Sequence, residues 1–65
     1  MAKYLDITVK LIGQDGNAFN ILGICRRAMK RANLSESEIE AFTAEATSGD
    51  YNHLLAVCCE WFNVE

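Results

Sequence analysis

One stretch of this chain alternates in the manner of a half-buried strand. In Tyr4-Leu-Asp-Ile-Thr-Val-Lys-Leu-Ile12 the apolar Leu5, Ile7, Val9 and Leu11 take every second place, with Asp6, Thr8 and Lys10 between them. That is the two-residue period of a strand with one face in a core. A strand by itself leaves backbone donors and acceptors unpaired along its edges. A second strand must come from the carboxyl-terminal tail, from another copy of the chain or from another protein. The tail Phe62-Asn-Val-Glu65 is the local candidate to extend and lie beside it.

The rest of the chain repeats at helical spacing. After the turn chemistry of Gly13-Gln-Asp-Gly16 and a capping Asn17, the residues Ala18, Ile21, Leu22, Cys25, Ala28, Met29 and Ala32 form one apolar stripe, and Asn33 offers a left-handed stop. Ser35-Glu-Ser-Glu38 reads as a capping box, with the Ser35 hydroxyl taking the Glu38 amide proton and the Glu38 carboxylate reaching back to the Ser35 amide. It opens a short second helix whose inner face is Ile39, Phe42, Thr43 and Ala46 and which ends near Thr47 or Ser48. A third helix starts after Asp50, with Tyr51, Leu54, Leu55, Cys58, Trp61 and Phe62 on its apolar side. Its segment Leu54-Leu-Ala-Val-Cys-Cys59 would also suit a buried strand. The fold class is therefore α+β: an N-terminal strand and three helices packed on one small core in a single domain, residues 1–65, with a short C-terminal strand as an option.

With 65 residues, the chain buries only about 60% of the surface it exposes when unfolded, so its stability margin is thin and dimerisation would widen it. The six aromatics among its residues provide for a core without metal or disulfides, and no cofactor is expected. The start, MAKYLDITVK, lacks the pattern of a secretion signal, and no run approaches the roughly 20 apolar residues of a membrane span. The expectation is a cytoplasmic protein without membrane contact. Cys25, Cys58 and Cys59 are an odd number of cysteines, which points to reduced thiols. Cys25 and Cys58 sit on apolar stripes and suit core packing, and no Cys-x-x-Cys or His-x-x-x-His pair suggests a metal.

The net charge of −3 conceals a segregation of sign. All six basic residues, Lys3, Lys10, Arg26, Arg27, Lys30 and Arg31, precede Leu34 alongside two acids, giving that part +4; the part from Leu34 onward has seven acids and no base, giving −7. Such polarity governs association more than fold. Two surfaces become candidates for partner binding. Glu36, Glu38, Glu40, Glu45 and Asp50 could imitate a row of phosphates and engage a basic groove. Arg26, Arg27, Lys30 and Arg31 could instead touch phosphates, although four cations without interleaved aromatics in an acidic chain make direct nucleic-acid binding the weaker alternative. The ordinary readings are a solubilising acidic surface and a solvated basic helix end that complements the helix dipole.

A third candidate is catalytic. Ser48, Asp50 and His53 supply a nucleophile, an acid and a base within Ala46-Thr-Ser-Gly-Asp-Tyr-Asn-His-Leu-Leu55. A triad needs the His against both partners, an oxyanion hole and a pocket, for which a chain this short has little room. The structural reading gives each residue a role in the backbone instead. Gly49 ends one helix in the left-handed conformation, Asp50 caps the next and His53 lies on the flank. On this reading the chain is not an enzyme.

The stretches Gly16-Asn-Ala-Phe-Asn-Ile-Leu-Gly23 and Ala46 to Leu55, with Glu60-Trp61 near the end, resemble a group of small proteins encoded by phages, prophages and other bacterial elements. The resemblance covers nearly the whole chain and implies a compact cytosolic accessory protein. In size, acidity and such an origin the chain also resembles anti-CRISPR proteins of the type I-C class. That resemblance implies a protein that binds a host ribonucleoprotein, a type I CRISPR effector, and blocks target DNA with an acidic helix posing as a phosphate backbone. Anti-CRISPR proteins share no common motif, so no residue role carries over, and the cluster Arg26 to Arg31 departs from a purely acidic mimic. The functional expectation is an inhibitory binding module, monomeric or a weak homodimer; the alternative is a small phage regulatory or nucleic-acid-binding protein using the basic helix end.

Overall fold

A computed structural model describes residues 3–11 and 17–65. The element order is β1 (Tyr4–Val9), α1 (Ala18–Arg31), α2 (Glu36–Ala46), α3 (Tyr51–Trp61) and β2 (Phe62–Val64). The strand partner that β1 requires is the tail: β2 pairs with it in parallel to form a two-stranded sheet. A parallel neighbour needs a crossover connection, and here the three helices provide it. The turn expected at Gly13 to Gly16, and Ile12 at the end of the predicted strand, lie outside the described residues.

Local signals set the helix ends. Asn17 accepts the Phe19 amide at 2.8 Å, Ser35 the Glu38 amide at 3.2 Å and Asp50 the His53 amide at 2.9 Å, so each helix opens on a side-chain cap. Asn33 has φ 64°, the left-handed stop after α1. The change from α3 to β2 needs no loop. Phe62 is extended at φ −131° and ψ 167°, and its amide still donates to the Cys58 carbonyl. This switch brings two consecutive rings, Trp61 and Phe62, into the core with centroids 6.3 Å apart.

The buried residues form one cluster, in which Val9, Cys25, Met29, Phe42, Val57, Cys58 and Phe62 are the most enclosed. Phe42 packs edge-on to Trp61 at 5.4 Å and lies 5.2 Å from Phe62. On α3 the buried stripe is Leu54, Val57, Cys58 and Trp61, the i, i+3, i+4, i+7 spacing of a core-facing helix. Val57 joins this stripe although the sequence pattern did not single it out. Tyr51, expected on the same stripe, lies beyond the core edge and is 40% exposed.

The strand departs from strict alternation. Leu5, expected to be buried, is 62% exposed, while Tyr4 is half-buried with its ring 5.9 Å from Trp61 and 6.4 Å from Phe62. The cause is a register irregularity between Tyr4 and Thr8, which pair with the adjacent Phe62 and Asn63. Inward positions become Tyr4, Ile7 and Val9, so one step spans three residues instead of two; three residues of β1 lie between positions whose β2 partners are adjacent, a larger irregularity than a single-residue bulge. The larger aromatic takes the core position and Leu5 is displaced to solvent.

Candidate functional site

The acids of α2 do not share one face. At about 100° per residue, Glu36 and Glu40 lie in one row and Glu38 and Glu45 in another on the opposite flank. The exposed Ser37, Ala41 and Ala44 fall between the rows. The two rows have different employment. Tyr4 donates its hydroxyl to Glu38 Oε2, and the Lys3 ammonium stands 3.7 Å from the same oxygen. That ammonium also lies 4.2 Å above the Trp61 ring and 5.8 Å from the Tyr4 ring, a cation held by two aromatic faces and a carboxylate. The buried Trp61 indole donates its N–H to Glu45 Oε2 at 3.0 Å, satisfying a polar atom that would otherwise be costly to bury.

This cluster has an electrostatic consequence at Tyr4. The hydrogen bond to Glu38 holds the phenol above its ordinary range, with desolvation and the carboxylate's charge acting in the same direction. Glu38 is thereby drawn away from the second half of the predicted capping box: the Ser35 side chain still takes the Glu38 amide, while Glu38 Oε2 serves Tyr4 and Lys3. Glu36 and Glu40 remain exposed on the other row, and Asp50 is exposed at the start of α3, its Oδ1 engaged by the His53 amide. Among the described residues the one ion pair is Lys3 with Glu38.

The basic residues are arranged more continuously. Arg26, Arg27, Lys30 and Arg31 are all exposed, and by helical geometry they span an arc of about 140° at the carboxyl end of α1. Arg27 Nε donates to the Gly23 carbonyl at 3.3 Å.

The corner from Ala46 to Leu55 is organised around one carbonyl. Ser48 Oγ donates to Glu45 O at 2.7 Å, and His53 Nε2 lies 2.9 Å from the same oxygen and 3.1 Å from Ser48 Oγ. A carbonyl only accepts, so Nε2 carries the proton and donates. In that state it cannot take a proton from Ser48. The Asp50 carboxylate serves the His53 backbone amide, so Ser48, Asp50 and His53 meet at a helix junction and do not form a relay of the kind an acyl-transfer triad uses. Imidazole from α3 instead caps the last carbonyls of α2, with Thr47 Oγ1 donating to Thr43 O at 2.7 Å beside it.

Gly49 needs a different explanation from the left-handed one. Its φ lies outside the left-handed range, but a Cβ there would stand 2.8 Å from His53 Cγ and 2.9 Å from its Cβ and Cδ2. Glycine is required because the imidazole folds directly over it.

Cys25 Sγ and Cys58 Sγ are 3.6 Å apart in the core and both are free thiols; Cys59 is exposed. The contact with the Cys58 sulfur and the burial push the Cys25 thiol well above its usual range, so it stays neutral and serves packing. Among the described residues no group of three or more His, Cys, Asp or Glu side chains is placed to hold a metal ion.

The first turns of α1 and the corner that joins α2 to α3 converge in space. Ala18, Phe19 and Leu22 from one, and Ala46, Tyr51 and Leu54 from the other, line a shallow apolar cleft of about 260 Å³. Phe19, at its lip, is 85% exposed. Its place off the apolar stripe of α1 was the one signal of this exposure available in the sequence. Lys3, Tyr4 and Trp61 had none, because their association with Glu38 and Glu45 joins both ends of the chain to its middle. Among the described residues no helix is long and apolar enough to cross a membrane. No protein-family model, curated protein or solved structure matches the chain.

Proposed function

We propose that this protein is a non-enzymatic binding module that presents carboxylates to the basic, nucleic-acid-binding surface of a host complex and so blocks it. The observation that carries this reading is the uncompensated charge of the α2 and α3 half. Glu36, Glu40, Glu45, Asp50, Glu60 and Glu65 are exposed, and among the described residues the single ion pair involves none of them. Glu36 and Glu40 stand one helical turn apart, about 6 Å along the axis. Glu38 and Glu45 contribute charge to the field while their carboxylates serve Lys3, Tyr4 and Trp61, so the direct contacts fall to Glu36 and Glu40, with Asp50 at the start of α3.

The resemblance to phage-borne accessory proteins and to anti-CRISPR proteins of the type I-C class supplies the class of partner: a CRISPR surveillance complex in the bacterial cytoplasm. Binding to such a complex should weaken steeply with salt, since exposed charges are screened beyond about 8 Å at physiological ionic strength. The test is capture of partners from host lysate on the immobilised protein, followed by a direct binding assay with the captured complex. A Glu36→Lys, Glu40→Lys double variant should keep the wild-type circular dichroism spectrum and bind at least about tenfold more weakly, given charge-pair couplings of roughly 1.5 kcal/mol or more. Undiminished inhibition by that variant would refute the carboxylate surface.

The continuity of the basic face on α1 favours a second reading, a small regulatory protein that binds nucleic acid through Arg26, Arg27, Lys30 and Arg31. A salt-dependent gel shift that is lost in an Arg27→Glu, Arg31→Glu variant would select it.

A further inference from the structure

Among the described residues the sheet leaves one edge of β1 without a strand partner, and that edge has a self-complementary sequence. Lys3 and Leu11 donate their amides to Glu60 and Glu65 at 2.7 Å each, and the Val9 carbonyl accepts from Glu65 at 2.9 Å. The backbone groups of these odd-numbered residues thus turn toward β2. With the strand period of two, those of Thr8 and Lys10 turn the other way. Among the described residues β1 pairs with β2 alone. Beside this edge runs a cleft of about 240 Å³ between Asp6, Ile7 and Thr8 on the strand and Ala28, Arg31 and Ala32 on α1; the two alanines leave it open. The side chains of Asp6, Thr8 and Lys10 are all exposed.

We propose that this edge pairs antiparallel with the same edge of a second copy, about a two-fold axis at Thr8, forming a four-stranded sheet with the two β1 strands at its centre. The occupant follows from the charges. Antiparallel pairing about Thr8 sets Asp6 opposite Lys10 of the second copy and Lys10 opposite its Asp6. Each charge therefore meets its opposite, and Thr8 meets Thr8. Opposite charges and threonine pairs are the favourable cross-strand combinations, and like charges the unfavourable ones. Asn63 Nδ2 donates to Thr8 Oγ1 at 3.3 Å, leaving the threonine proton for its counterpart across the axis.

Edge strands that avoid pairing use a lone lysine, an inward charge or a bulge that turns the edge away. Here the irregularity falls between Tyr4 and Thr8, inward and outward side chains alternate regularly from Asp6 to Lys10, and the lysine has an acid at the mirror position. A residue pattern that reads the same through a two-fold axis is what an isologous interface requires. A domain this small also gains proportionately from any interface that enlarges its sheet.

Sedimentation equilibrium of the full chain from micromolar to millimolar concentration tests the proposal. The wild-type mass should rise from 7.3 kDa toward twice that value. Asp6→Lys and Lys10→Asp alter exposed side chains and should leave the circular dichroism spectrum unchanged. Each places like charges opposite one another and should weaken self-association by at least about tenfold, whereas combining them restores opposite charges and the wild-type mass. Amide exchange gives a second readout: the Thr8 and Lys10 amides should become protected as the dimer forms. A chain that stays at monomer mass throughout, a dimer indifferent to both single reversals, a double variant as weak as the singles, or a dimer whose Thr8 amide exchanges at the monomer rate would each overturn it.

Discussion

A methyl group at residue 49 would stand 2.8 Å from Cγ of His53, closer than unbonded carbons approach, so Gly49→Ala must push the imidazole off the Glu45 carbonyl. The expected cost is about 1–3 kcal/mol, the range for overpacking. His53→Ala removes the ring, and with it two of the three close contacts and a hydrogen bond worth about 1 kcal/mol, while the Cβ of residue 53 stays 2.9 Å from the added methyl. The two changes should therefore be non-additive: Gly49→Ala should cost less when His53 is already alanine, since the ring contacts are gone and only the Cβ contact remains. A double-mutant cycle by urea denaturation measures this coupling, and additive losses would mean that the imidazole ring is not what excludes a side chain at residue 49. Tyr4 provides a residue-scale prediction in pH. Its phenol is raised from the ordinary value of 10.0, first by the hydrogen bond to Glu38. An acid whose neutral form is favoured by folding contributes stability that is whole below its unfolded pKa and is lost as pH rises through the higher folded value. Stability should thus fall on the alkaline side of pH 10, and Tyr4→Phe should flatten that part of the profile.

At the scale of elements, β2 is three residues long and depends on one ring. Phe62 ends α3, opens the strand and fills the core against Phe42 and Tyr4. Phe62→Ala should cost about 3–5 kcal/mol, comparable with the whole stability of a domain with roughly 0.05–0.15 kcal/mol per residue. The variant should be largely unfolded at room temperature by circular dichroism, and a native spectrum would show that β1 does not need the tail. Element α2 illustrates how a helix divides its charges. The row Glu38 and Glu45 supports neighbours, through Lys3, Tyr4 and Trp61, while Glu36 and Glu40 face solvent. Substituting the first row should lower stability, and substituting the second should alter binding alone.

For the molecule as a whole, charge and topology act on different processes. The parallel pair joins Tyr4 to Phe62, so the sheet closes almost the entire chain into a loop. Such non-local pairing slows folding relative to a helical bundle of equal size. The helices supply the core beneath the sheet, and the segregated surface charges remain available outside it. The uncompensated carboxylates should raise the association rate with a basic partner at low salt and lose that advantage as ionic strength rises. Stopped-flow binding at two salt concentrations would separate this from contact affinity, because steering changes the association rate more than the dissociation rate.

Much of this architecture was legible in local sequence. The Asn17, Ser35 and Asp50 caps, the Asn33 stop and the apolar stripes placed the three helices, because caps and periodicity act over a few residues. The same local logic made β1 a strand and required a partner for it, and the tail was one of three candidates. What the tertiary structure decided involves residues far apart in the chain. It selected the tail as the strand partner and introduced the register irregularity that puts Tyr4 in and Leu5 out. It divided the acids of α2 into a row that serves Lys3, Tyr4 and Trp61 and a row that stays free. It also folded the His53 ring over Gly49. A strand pattern specifies a two-residue period, and its phase belongs to whichever neighbour it pairs with. The size of the Trp61 and Phe62 rings set that phase here, and with it the side chains that line the open edge of the sheet.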